Sequence, residues 1–362
     1  MRVNQLVLRD FRNLAAVSIE PHGRFNVLCG ENGQGKTNLL EALYWLSTLR
    51  PARATRLREL VRWGEKQTRV EGRVEHEGLQ HRLAVEVREG ERNALREGKA
   101  VKASDYFGAL AVVLFTPDDV GLVRGSPDGR RRLLDRAVFT ARPAHLAVVV
   151  EYRRALEARN RLLRDGAEDA LVEVYEATLA DRGARLMAAR KSFVDRLAPR
   201  FAEVFGTIAG EGLAGELRYR PSLDAGLEDG AAGLQAAWAT DRERDRQRGF
   251  TQRGPHADDL VFGLLERSAR IYASQGQQRA MVLALKIAEI ELLQADQGVC
   301  PVLLLDDVSS ELDPLRNARL FAFLGGFEGQ VFITTTDPAF LRIDADRRVW
   351  RVTAGVVAAE GA

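Results

Sequence analysis

The sequence predicts an α/β fold in which one domain is built from both ends of the chain and a helical arm is inserted between them. Three observations carry this. Phe25–Cys29 is a buried-strand pattern that runs through a glycine-rich turn into a helical pattern. Two more strand patterns, Pro301–Leu305 and Gln330–Thr334, lie near the C-terminus with helical patterns between them. From about Asp118 to Thr240 the character changes to long, arginine-rich helices. Alternating strands and helices bury a sheet beneath helices, so the two ends belong together. The expected division is one α/β domain from residues 1–117 and 250–362, with residues 118–249 as an inserted α-helical arm.

Each element follows in order. Val3–Leu8 and Ala15–Ile19 are strand-like and flank the turn-like Asp10-Phe11-Arg12-Asn13. Phe25–Cys29 is apolar enough for a strand buried on both faces. Thr37–Leu49 reads as a helix stopped at Pro51. Between Arg69 and Val101, short alternating runs separated by Glu-Gly or Gly-Lys turns predict an antiparallel meander. Ala111–Phe115 is a further core strand, closed by Thr116-Pro117. In the arm, Leu179, Leu186, Phe193, Leu197, Phe201 and Val204 recur at helical spacings and give one apolar face. The charge run Asp241–Arg248 then precedes a strand pattern at Asp259–Phe262. There is no internal repeat, no low-complexity linker and no sustained heptad.

Composition narrows the classes. With 362 residues and 46% hydrophobic content the chain has material for a large core, which excludes global disorder. No apolar run approaches the roughly 18 residues of a membrane span, and no secretory leader pattern opens the chain. The expectation is a cytoplasmic protein with no membrane partner. Cys29 and Cys300 sit far apart in apolar runs with no histidine nearby, as buried structural thiols do. The net charge of +2 conceals an asymmetry: Arg130–Arg200 holds 16 Lys/Arg against 10 Asp/Glu. A second cluster comprises Arg50, Arg53, Arg56, Arg58, Arg62, Lys66 and Arg69. Clustered positive charge in a near-neutral chain is either a nucleic-acid footprint or a solvated helix face laced with salt bridges.

The chemistry-bearing motifs come next. Gly30-Glu31-Asn32-Gly33-Gln34-Gly35-Lys36-Thr37 fits G-x-x-x-x-G-K-[ST]. A strand delivers the chain to a turn whose N–H groups cradle phosphates, and a helix N-terminus faces them. Lys36 brings a positive charge to the β/γ oxygens of ATP, and the Thr37 hydroxyl is a ligand for Mg²⁺. Pro301–Leu305 ends in Asp306-Asp307. Asp306 would hold the metal, directly or through water, and Asp307 would orient or deprotonate the attacking water. Ser274-Gln275-Gly276-Gln277-Gln278-Arg279 opens an apolar helix and resembles the signature motif of ABC ATPases, with Gln275 where the commoner pattern has Gly. Ser274, Gly276 and Gln277 make a second anion-binding helix N-terminus, which in ABC ATPases meets the nucleotide of the opposite subunit. That resemblance implies a homodimer closed on ATP, and a P-loop ATPase head of the ABC type. Most ABC ATPases carry Glu where Asp307 stands, so slow hydrolysis is expected. Ser309–Asp313 resembles the D-loop, and Thr116–Asp119 stands where a Q-loop is found. The usual switch histidine is missing after Gln330–Thr334, leaving Thr335, Thr336 or Asp337 to sense the γ-phosphate, with Asp337 equally placed as a helix cap.

Taken together the motifs resemble the RecF family. The matching stretches are Leu8–Leu14, Gly30–Ala42, Phe115–Asp135, Arg253–Leu260, Ser274–Arg279 and Leu303–Asp313, in family order and spacing. The resemblance implies a weak ATPase that dimerises on ATP and binds duplex DNA and single-strand/duplex junctions. It also implies RecR and RecO as partners, with RecA loaded indirectly at gaps and stalled forks. Arg50, Arg53, Arg56, Arg130, Arg131 and Arg132 are the candidate DNA contacts, with solvated surface as the alternative; His256 is expected to satisfy a local hydrogen bond. Two other readings are an ABC subunit driving a non-DNA protein partner and an SMC-like bridging protein. The arginine-rich arm, the missing histidine and Asp307 disfavour the first; the absence of heptads disfavours the second.

Overall fold

The buried run Phe25–Cys29 is strand β3, with parallel neighbours on both sides. The computed structural model describes residues 1–210, 212–298, 300–308, 312–338, 341, 343 and 346–360. Its Cα framework divides into two units: Met1–Asp119 with Thr207–Ala209 and Gln275–Ala362, and Val120–Gly206 with Gly210–Ser274.

In the first unit, β1 (Arg2–Phe11), β2 (Leu14–Ile19), β4 (Gln67–His76), β5 (Leu79–Arg88), β6 (Glu91–Arg96) and β7 (Lys99–Ala100) pair antiparallel in the order β2-β1-β4-β5-β6-β7. A second sheet runs β15-β14-β3-β13-β12-β8, from β8 (Val112–Phe115), β12 (Val302–Leu305), β13 (Val331–Thr335), β14 (Arg347–Thr353) and β15 (Val356–Ala359). All its pairs are parallel except β14 with β15. Helix α1 (Lys36–Thr48) shares one core with both sheets, which explains a helix buried almost all round. Phe11 stacks on Trp45 of α1 at 5.8 Å, and Arg12 makes two 3.0 Å bonds to Glu41, buried in the same helix. A charge-assisted pair of this kind contributes about 1.5–3 kcal/mol. Cys29 is buried, whereas Cys300 is only half-buried. Among the described residues no helix is long and apolar enough to cross a membrane.

The second unit departs from expectation. Residues 250–274, assigned above to the α/β domain, cluster with the arm instead. The arm is not wholly helical either. Strand β10 (Asp259–Leu264) pairs antiparallel with β9 (Gly215–Arg220) and β11 (Arg267–Ser268), a small sheet separate from the other two. Its helices include Pro127–Ala141, His145–Arg164, Asp169–Ala209 and Gly230–Arg248. The apolar stripe Leu179 to Val204 is buried along the third of these. The charge run Asp241–Arg248 completes the fourth helix, which buries Asp241, Arg242 and Asp245 and leaves Glu243, Arg244 and Arg248 exposed. Arg159 is fully buried, bonding Glu176 at 3.0 Å, Asp245 at 2.8 Å and Thr251 at 2.6 Å. Arg242 shares Glu176 at 2.8 Å. Ions taken out of water need such pairing.

His256 lies between the Tyr152 hydroxyl (2.7 Å from Nδ1) and the Thr251 carbonyl (2.9 Å from Nε2). The carbonyl only accepts, so Nε2 carries the hydrogen and Nδ1 accepts from Tyr152. Burial pushes the imidazole from its ordinary 6.5 down to about 4. The unfolded chain therefore takes up this proton first as pH falls. The stability it contributes is complete above pH 6.5 and is lost between there and about pH 4. Denaturant unfolding should show that loss in the wild type and a shallower slope over the same window in His256→Asn.

Candidate nucleotide-binding site

Parallel register sets the site. Cys29 of β3 pairs with Thr335 of β13, and Leu305 of β12 with Ile333, so three strands end at one edge. Ligand sites of open α/β sheets form at such carboxyl ends. Beyond β3 the chain turns at Gly30, with φ +152°; a Cβ there would meet the Val352 carbonyl oxygen at 2.3 Å, so only glycine fits. The loop is tied down at Gln34, whose carbonyl accepts from the Gly355 N–H (3.0 Å) and from Asn13 Nδ2 (3.1 Å).

An open cleft follows, lined by Asn32, Gly33, Gly35, Lys36, Thr37, Asn38, Arg53, Asp306, Asp307 and Thr334. Lys36 is buried, and its ammonium donates to the carbonyls of Gly30 (2.6 Å) and Glu31 (2.8 Å). Desolvation lowers its pKa, opposed by the carboxylates of Asp307 and Asp306. Thr37 donates its hydroxyl to Asp306 at 2.9 Å, and Thr334 donates to the same oxygen at 2.8 Å. Burial raises the Asp306 carboxyl, and these two hydroxyls work against that rise. Asp307 adopts φ +48°, a conformation uncommon outside glycine, and its N–H donates to Thr334 Oγ1 at 2.8 Å.

The donor set suits a hard cation: a hydroxyl and a carboxylate in contact, all oxygen. Among the described residues no group of three or more His, Cys, Asp or Glu could hold a metal. A magnesium ion would therefore draw further ligands from phosphates and water, as this metal usually does.

Not every expected residue comes to the cleft. Gly30 and Glu31 shape the loop through their main chain, and Gln34 through its carbonyl and through its side-chain oxygen, which accepts from the Ala354 N–H. Gly276 and Gln277 open the helix Gln275–Gln297 in the same unit but do not line the cleft, and Ser274 belongs to the second unit. Of the D-loop stretch, Ser309, Ser310 and Glu311 lie outside the described residues, and Asp313 caps the helix Pro314–Gly326. The Thr335 hydroxyl donates to the Asp337 carbonyl at 3.0 Å and accepts from the Asp337 N–H at 3.2 Å.

The arginines divide. Arg53, grouped above with DNA contacts, lines the cleft and reaches Asn38 (3.2 Å) and Glu41 (3.6 Å). Arg130 is a correction: it is buried, bonding Asp259 at 2.6 and 3.0 Å and the carbonyls of Leu122 and Gly125 at 2.9 Å. Its donors are consumed inside the arm. Arg131 is half-buried on the Asp258 carbonyl at 2.8 Å, and Arg132 is exposed beside Asp128. Sequence reasoning missed Thr334, Asn38 and Arg53 as cleft residues; a hydroxyl at the end of a buried strand was the one available signal.

With this geometry in view, known proteins compare as follows. The family described as "RecF/RecN/SMC N terminal domain" matches residues 2–356. The DNA replication and repair protein RecF of Anaeromyxobacter dehalogenans is 50% identical over 373 aligned positions, covering 99% of each chain. The solved "recombination mediator protein RecF-ATPrS in RecFOR pathway" superposes with a TM-score of 0.90 at 28% identity, covering 99% of this chain and 98% of that one. A solved SMC head bound to the C-terminal winged-helix domain of ScpA gives 0.60 at 18% identity, covering 99% and 97%, a likeness of fold. The chain belongs to the RecF family, and its fold is the ABC-type ATPase head with an arm.

Burial sorts the arm arginines by consequence. Arg130→Ala takes from Asp259 its buried partner, leaving the exposed Arg220 at 3.1 Å, and should destabilise the protein by about 1–3 kcal/mol, against under about 0.5 kcal/mol for Arg132→Ala. Urea unfolding of the two variants checks this.

Proposed function

We propose, with membership of the RecF family as the premise, that this chain is an ATP-dependent DNA-binding recombination mediator. It dimerises on ATP and helps load the recombinase at gaps and stalled forks, in repair, replication restart and the SOS response. The observation that carries the proposal is the Thr37–Asp306 contact of 2.9 Å beside the buried Lys36 ammonium. Two distant parts of the sequence there supply the charge and oxygen donors that a metal-bound nucleoside triphosphate requires.

The residues divide the work. Main-chain N–H groups from Gly33 to Thr37, at the positive end of α1, hold the phosphates. Lys36 exchanges its two carbonyl acceptors for phosphate oxygens. Thr37 and Asp306 would hold Mg²⁺, which would supply positive charge beside the phosphates. Arg53 faces the same cleft and adds a second cation. Asp307 orients the attacking water and receives its proton; one methylene shorter than Glu, it reaches less well and makes turnover slow. Thr334 braces the pair by bonding both residues. Ser274, Gly276 and Gln277 complete the site from a second copy, which makes ATP the cement of a dimer.

The DNA half of the proposal is supported by the family and by the exposed Arg50 and Arg56. DNA phosphates release counterions on binding, so affinity should fall steeply with salt. RecR and RecO are the proposed protein partners, with RecA served indirectly, in the cytoplasm.

Sedimentation and duplex-DNA affinity, measured in parallel with and without ATP, test this. The wild type should gain both on ATP. Asp307→Asn should keep both while hydrolysis falls roughly a hundredfold or more, and Lys36→Arg should lose the ATP dependence. A chain that stays monomeric in ATP, even as Asp307→Asn, overturns the proposal.

A further inference from the structure

We infer that Trp63 is a base-stacking contact, held on a fixed turn in a segment rich in unpaired cations, through which this chain engages unstacked bases of nucleic acid. The inference rests on the DNA-binding proposal above and adds what that surface recognises.

Of the chain's four tryptophans, Trp45 and Trp238 are fully buried and Trp350 is 6% exposed, whereas Trp63 is 98% exposed. An indole left in water forgoes the burial that stabilises the others. Nor is it carried on a loose loop. Val61 bridges to Phe11, and the Arg62 N–H donates to the Asp10 carbonyl at 2.8 Å. Arg62 Nε reaches the Asp10 carboxylate at 2.7 Å. The Glu65 N–H then closes on the Arg62 carbonyl at 3.0 Å. Trp63 and Gly64 are thus the central residues of a β-turn, and φ +88° at Gly64 is what a type II turn demands there. Beneath it, Phe11 is seated on Trp45. The ring is presented by a backbone pinned at both ends, so little order remains to be gained on binding.

Its surroundings select the partner. Arg50, Arg56, Arg58 and Lys66 are exposed, and none has a carboxylate within ion-pair distance among the described residues. Arg12, Arg53, Arg62 and Arg69, from the same region, are all paired. The free cations belong to the same segment of chain as the indole, Lys66 three residues from it. The core of a protein interface is depleted of charge, whereas Trp63 is flanked by Arg62, Gly64, Glu65 and Lys66. A flat aromatic face in a segment rich in unpaired cations matches a polyanion with stackable faces. Within a duplex the bases are stacked on each other. Only an end, a gap or a single strand offers Trp63 a face, so its contribution falls on junctions.

Fluorescence anisotropy of the full-length chain with ATP, on blunt duplex and on duplex with a single-stranded tail, tests this. Trp63→Ala should weaken tailed-duplex binding by roughly five- to a hundredfold, the range for one stacked base. Blunt-duplex affinity and the salt slope should stay within about twofold, and Trp63→Phe should restore most of the loss. Arg56→Ala should instead weaken both DNAs and lower the salt slope by about one. Equal tailed-duplex affinity in Trp63→Ala and wild type overturns the inference. Unchanged DNA affinity with loss of ATP-dependent dimerisation also overturns it and makes the indole a contact to a second copy. A wild type that binds neither DNA sinks the DNA-binding proposal itself, a result distinct from both.

Discussion

Everything at the site depends on a joint between residues 269 positions apart, the hydrogen bond from Thr37 to Asp306. Neither residue has meaning alone. Thr37 is placed by the turn that ends β3, and Asp306 by the end of β12, with β13 between the two strands. Parallel pairing aligns the three carboxyl ends, and Thr334 at the end of β13 then bonds both acidic residues. The sheet is therefore the instrument that converts two separated motifs into one donor set. The burial of α1 between two sheets holds the lysine that completes it.

A second constraint concerns charge. Part of the arginine excess between Arg130 and Arg200 is answered by carboxylates inside the arm. Arg159 is answered by Asp245, Arg190 by Asp135 and Asp258, and Arg130 by Asp259. Three of these four carboxylates fall after residue 240, beyond the window in which the excess was counted. These three buried arginines are thus internal scaffolding, desolvated and paired, while others of the same stretch, Arg142, Arg154 and Arg161 among them, stay exposed. A further set of open cations lies in the shorter run from Arg50 to Lys66.

Much of the first unit was legible in the sequence because its signals are local. Phe25–Cys29, the turn after it, Val302–Leu305 and the meander each announce themselves within ten residues. The nucleotide residues were legible for the same reason, since a glycine turn, a lysine and a strand-end carboxylate are recognisable one by one. What was lost depended on distance. β9 is six alternating residues within a stretch read as helical, and only its pairing with β10 makes it a strand. Residues 250–274 join the arm through that pairing, which moved the boundary. Asp241–Arg248 was legible only as a charge run, because the partners of Arg242 and Asp245 lie on other helices. Arg53 and Arg130 carried the same side chain in similar contexts, yet one faces the cleft and the other is sealed in a core. Trp63 gave no sign either, since a tryptophan in a sequence is ordinarily core, and only the anchored turn turns it outward.

The central claim is that Thr37 and Asp306 act as one unit in holding the metal-bound nucleotide. A double-mutant cycle on ATP affinity, measured calorimetrically with Mg²⁺ and with EDTA, tests it most directly. Thr37→Ala and Asp306→Asn should each abolish the gain that Mg²⁺ confers, and the double variant should lose no more than the weaker-binding single. Additive losses, or a Mg²⁺ dependence that survives in both single variants, would contradict the account.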